Sequence, residues 1–171
     1  MFAPSYDQYS FRFRNDDGSE TTATWVAAKN TNATLNVDTT YRLRLLIQNY
    51  GAGNGTDVDL EFQYNKLAAG WNNITTVSSV VKAVASANFV DGDDCTQQLD
   101  IGVFHTNNDG MTEDGTSGGA NLDPLIATEW ETELAFQIVS GDVVNGDTIT
   151  FRVTRDGGTI LDRYTNTPQA T

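Results

Sequence analysis

Period-two alternation constrains this chain more than any other feature of its sequence. In Tyr41–Ile47 the residues Tyr41, Leu43, Leu45 and Ile47 share one face, with Arg42 and Arg44 on the other. In Asp57–Tyr64 the apolar set is Val58, Leu60, Phe62 and Tyr64, opposed by Asp59 and Glu61. Strand side chains alternate between faces, so this rhythm marks half-buried β-strands rather than helices. Trp130, Thr132, Leu134, Phe136 and Ile138 repeat it, as do Ile149, Phe151 and Val153. Tyr9–Arg14 alternates aromatic and polar residues.

Between these runs lie turn residues. Asn15-Asp16-Asp17-Gly18, Asn49 to Thr56 and Arg155-Asp156-Gly157-Gly158 carry the Asn, Asp and Gly that tight turns favour. Thr21–Val26, Trp71–Val77, Thr96–Phe104 and Ile160–Tyr164 complete about nine or ten expected strands. In Val77–Asn88 the valine spacing fits a helix, but its β-branched residues favour a strand, which is the expectation here. Many short strands separated by turns imply an all-β, antiparallel sandwich, immunoglobulin-like or jelly-roll-like, with little helix. The outward arginines of Tyr41–Ile47 and the acids of Asp57–Tyr64 predict that these two strands pair.

The length, 171 residues, fits one domain over residues 9–171, preceded by an arm of residues 1–8. The segment Thr106–Thr128 is dense in Gly, Asn, Asp and Thr and reads as a long loop. A single cysteine, Cys95, rules out an intrachain disulfide. The first ten residues have neither the basic start nor the apolar run of a secretory signal.

The formal charge is −13, from 23 acidic against 10 basic residues. Nucleic-acid and anionic-membrane partners need clustered cations, so neither is expected. The one histidine, His105, and Cys95 make a poor basis for a nucleophilic site, and for zinc. No catalytic residue is assigned, and the chain is expected not to be an enzyme. A carboxylate pair for glycoside hydrolysis cannot be singled out among 23 acids. Calcium is the one cofactor weighed, on Asp91–Asp94 and on Asn107–Gly110 with Glu113 and Asp114. Neither run fits an EF-hand, and no metal or cofactor site is assigned.

Leu60-Glu-Phe-Gln-Tyr-Asn-Lys, followed by Gly70-Trp71-Asn-Asn-Ile74, resembles the strand–turn–Trp pattern of fibronectin-III-like and immunoglobulin-like modules. Gly141 to Val153 is similar to the strand entry of such modules, and Tyr41–Thr165 is similar in style to β-sandwich proteins of tailed-phage virions. That resemblance implies a structural protein made in a host cytoplasm and carried on the virion surface. It would be a homo-oligomeric capsid decoration protein bound to the major capsid protein or another virion component. The alternative is a secreted or surface adhesin, extracellular, binding carbohydrate through Trp71. Partner contacts are expected from the apolar residues of the arm, Phe2, Pro4 and Tyr6. The apolar end of the long loop, Leu122, Leu125 and Ile126 with Pro124, offers further contacts.

Overall fold

The computed structural model describes residues 2–171. Eleven strands form: β1 Tyr6–Asn15, β2 Tyr41–Asn49, β3 Leu60–Lys66, β4 Asn72–Asn73, β5 Val81–Ala83, β6 Met111–Thr112, β7 Glu129–Ile138, β8 Ile149–Arg155, β9 Thr159–Ile160, β10 Arg163–Tyr164 and β11 Gln169–Ala170. The helical content of the described residues is one 3-10 turn, Ser140–Asp142.

Two sheets face each other. The first runs β10-β1-β2-β7-β5, with β6 alongside β7, and the second runs β11-β8-β3-β4, with β9 alongside β8. The strands β1-β2-β7-β5 of the first sheet therefore face β11-β8-β3-β4 of the second, an all-β sandwich. The core is made by the alternating residues themselves. Phe13 of β1 and Phe136 of β7 meet Phe151 of β8 across the sandwich at ring separations of 5.9 and 5.2 Å. Leu43, Leu45, Leu60, Phe62 and Val153 fill the space around them.

The pairing of Tyr41–Ile47 with Asp57–Tyr64 does not occur. β2 lies between β1 and β7, while β3 lies in the other sheet between β8 and β4. The loop after Asn49 crosses from one sheet to the other, so Arg42 and Arg44 find their acids on β7 instead of β3.

Two other expected strands are loops. Thr21–Val26 touches the sheet through one bridge, Arg14 to Trp25, and Thr96–Phe104 through one, Phe104 to Glu129. Their polar side chains bond across to other segments rather than extending a ladder: Thr24 to Asp17, Gln97 to Glu129 and Gln98 to Glu20. In Val77–Asn88 the strand is confined to Val81–Ala83, and Val77 is exposed.

Thr106–Thr128 is structured. Met111–Thr112 pairs with β7, while Ser117 bridges to Glu61 on β3 and Leu122 to Val58 just before β3. The segment therefore closes the side of the sandwich between the two sheets. The opposite side is closed by side chains: Gln8 accepts from the Val153 N–H at 2.9 Å and donates to the Asn166 carbonyl at 3.0 Å.

Candidate partner-binding end of the sandwich

Four segments meet where β2 ends and β7 begins: the residues before β1, the loop 50–59, the stretch 100–104 and the end of the long loop. Asn49, the last residue of β2 and almost fully buried, ties three of them together. Its Oδ1 accepts from the N–H of Ser5 at 3.3 Å and of Gly51 at 3.2 Å. Its Nδ2 donates to the carbonyls of Gly53 at 2.9 Å, Pro124 at 3.3 Å and Leu125 at 3.2 Å. A buried amide so engaged orders every segment it touches.

Two glycines let the chain before β1 lie against this loop. The N–H of Tyr50 donates to the Ser5 carbonyl at 2.9 Å and that of Gly53 to the Ala3 carbonyl at 3.1 Å. A Cβ on Gly51 would collide with the Ser5 nitrogen, and one on Gly53 with the Phe2 carbonyl. The arm is thus held by its own chain through its backbone, leaving the Phe2 side chain 80% exposed.

The expected contact residues divide, with Pro124 buried. Phe2, Leu125 and Ile126 are exposed, and Pro4 is half-buried. Tyr6 and Leu122 are buried and unavailable to a partner. Tyr6 opens β1 and packs edge-on against Trp130 at 5.8 Å, so the arm stops at Ser5 rather than at residue 8. Leu122 exchanges both backbone hydrogen bonds with Val58. Tyr50, Ile101 and Val103, none of them among the expected contacts, add exposed apolar surface. Tyr50 and Val103, with Ala127, line one recess of about 260 Å³ at this end. Their only sequence signal is an apolar residue inside a turn.

A second feature lies on the outer face of the first sheet. Arg14, Arg42, Arg44, Glu131 and Glu133 are all fully buried there. Glu133 contacts Arg44 at 2.8 Å, Arg14 at 3.2 Å and Arg42 at 3.3 Å. Arg44 also reaches Glu20 at 2.6 Å and bonds Glu131, while Asp16 takes Arg42 at 2.6 Å.

Residues 86–102 form a cover over this face. Thr96 and Gln98 hydrogen-bond Glu20, and the N–H groups of Gln98 and Leu99 donate to Glu131 at 2.8 and 2.6 Å. Ser86 bonds Asp16 at 2.7 Å, and Phe89 packs under Arg42 at 4.8 Å. Burial pushes the Glu131 carboxyl up, opposed by Arg44 and the Leu99 N–H. Burial also works against the Arg44 charge, yet Cys95, Glu133, Glu131 and Glu20 hold its pKa well above the ordinary range.

Cys95 is sealed beneath the cover, and burial drives its thiol pKa far up. Its backbone pairs with Asn107 rather than with His105. Asp91 and Asp93 accept the backbone N–H groups of Glu113 and Val90, as turn residues do. Among the described residues, no three His, Cys, Asp or Glu side chains converge as metal ligands.

Trp25 and Trp71 are half-buried, Trp25 beside Arg12 and Arg14 and Trp71 beside Arg152, whereas Trp130 is wholly in the core. No family model, no curated protein and no solved structure matches the chain.

Proposed function

We propose that this protein is a non-enzymatic attachment module, a decoration or cement protein on the outer shell of a virus particle, docking through the end organised by Asn49. The observation that carries the reading is the fixed display of Phe2, Leu125 and Ile126 at one end of the sandwich. Apolar side chains on an ordered backbone lose little entropy on docking, which is the condition for an anchor. The virion assignment is supported by the resemblance of Leu60–Ile74 and Tyr41–Thr165 to phage sandwich proteins. The partner is the major capsid protein or another shell component, met by several copies of this chain around a symmetry axis.

The test is co-sedimentation of the purified protein with shells assembled without it. Triple replacement of Phe2, Leu125 and Ile126 by Ser should leave a folded protein that stays in the supernatant. Unchanged sedimentation of that variant with shells would reject the anchoring role, and no sedimentation of the wild type would reject the particle. Point variants are required because removing residues 1–8 would also remove buried Tyr6, Asp7 and Gln8.

A further inference from the structure

The two outer faces of the sandwich are treated differently. That of the first sheet is sealed by the 86–102 cover, whereas that of the second sheet carries half-exposed Trp71 and Arg152, with Tyr164 of β10 near Arg152 at the edge of the first sheet. Five of the seven arginines touch a carboxylate: Arg14, Arg42, Arg44, Arg155 and Arg163. Arg12 is used up differently, its Nε donating to the Ala27 carbonyl at 2.6 Å. Arg152, on the open face, has no carboxylate partner among the described residues, in a chain with 23 acids. Glu61 lies on the same face of β3 but makes no ion pair with it.

Arg152 is nonetheless fixed. Its Nε donates to Gln63 Oε1 at 2.9 Å, and Gln63 Nε2 donates to Asn73 Oδ1 at 2.9 Å. Its guanidinium carbon lies 4.1 Å from the Trp71 ring centroid and 5.8 Å from that of Tyr164. Tyr164 is itself pinned, its hydroxyl donating to the Val153 carbonyl at 2.8 Å. The two terminal guanidinium nitrogens make no hydrogen bond within the protein and are not among the sealed polar atoms, so they face solvent.

We propose that this face binds a carboxylate-bearing sugar, with Arg152 gripping the carboxylate and Trp71 supporting the pyranose ring. A planar guanidinium presents two parallel donors that match the two oxygens of a carboxylate. Stacking on Trp71 and the bond to Gln63 set that plane in advance, so little rotamer freedom is lost on binding. The half-exposed indole beside it offers an apolar surface, and the Asn72 and Asn73 amides on β4 supply partners for hydroxyls. The net charge of −13 repels anions at long range, so the interaction rests on the short fork contact and survives at physiological salt. This site is separate from the apolar end, and its test does not depend on particle attachment.

Methyl glucuronide, with N-acetylneuraminic acid as a second acidic probe, is titrated into the labelled protein and followed by backbone and indole NMR shifts. Methyl glucoside is the neutral control. Saturable shifts at Trp71 and Arg152 are expected with at least one acidic sugar, and about tenfold weaker binding of the glucoside. Arg152→Gln should weaken acidic-sugar binding about tenfold or more, and Arg152→Lys, which keeps the charge but not the fork, should restore only part. Near-native circular dichroism of both variants establishes that the fold is intact. Equal binding of the glucoside, unchanged affinity in Arg152→Gln, or no shift with either acidic sugar would overturn the proposal. So would an acidic peptide that binds through Arg152 while both sugars do not.

Discussion

Arg44 stands directly opposite Glu133 across the β2–β7 ladder, and their side chains meet at 2.8 Å with neither reaching solvent. The neighbouring ladder sets Arg12 opposite Arg44 and Arg14 opposite Arg42, so like charges face each other between β1 and β2. Glu133 offsets this by contacting Arg14, Arg42 and Arg44 together. Replacing Arg44 by Leu would leave Glu131 and part of Glu133 buried without compensation. We expect a loss of about 3–5 kcal/mol in urea unfolding. Adding Glu133→Leu should cost less than the sum of the two single changes, with a coupling above about 1 kcal/mol. Strict additivity would show that the pair does not act as a unit.

Acid should loosen the cover through Glu20. Burial raises its pKa, but Arg44 and the Thr96 N–H outweigh burial and hold it below the ordinary 4.5. As pH falls through that value the unfolded chain takes the proton first, so the stability Glu20 contributes is present above about 4.5 and is lost below it. Glu131 runs the other way, because its folded pKa is raised. The melting temperature of Glu20→Gln should lie below that of the wild type at neutral pH, and the gap should close as pH falls below the ordinary Glu value. A gap independent of pH would contradict this assignment.

Cys95 reports on the same cover. It is fully buried, and its raised pKa leaves almost no thiolate at neutral pH. Reaction with an aromatic disulfide reagent should be slow in the native protein and limited by opening of residues 86–102. Glu20→Gln should speed it, because Glu20 bonds Thr96 directly next to the thiol. Rapid labelling of the wild type would mean that the cover does not seal.

Asn49→Ala should cost about 1–3 kcal/mol, since it leaves the N–H groups of Ser5 and Gly51 without their acceptor and the Gly53 carbonyl without its donor. Partner binding through Phe2 and Leu125 should fall with it. Urea unfolding measures the first effect and co-sedimentation the second.

Gly53→Ala separates presentation of the arm from stability of the core. The added methyl displaces the Phe2 carbonyl but touches no core residue. Phe2 should lose its fixed position while the melting temperature changes by only a few degrees, about 1 kcal/mol in a domain of this size. A collapse in stability would show that the arm supports the core as well.

The alternation of Tyr41–Ile47, Trp130–Ile138 and Ile149–Val153 was sufficient to identify β2, β7 and β8 and the residues they turn toward the core. It follows directly from the geometry of a strand, in which neighbouring side chains must part to opposite faces. The same rhythm carries no information about which strand lies alongside. Arg42 reaches Glu133 across 91 positions of sequence, and the choice of that partner over Asp59 or Glu61 depends on where the chain crosses between sheets. Nor does alternation tell whether a polar face meets water. The arginine face of β2 reads as solvated and is buried, because residues 86–102, which form a loop and not the strands expected of parts of it, fold over it. Phe2, Leu125 and Ile126 were legible as apolar residues in polar surroundings. That Tyr6 and Leu122 are withdrawn into the core, while Tyr50 and Val103 join the exposed end, was decided by backbone hydrogen bonds between segments far apart in the chain. Only the assembled sandwich sets those bonds.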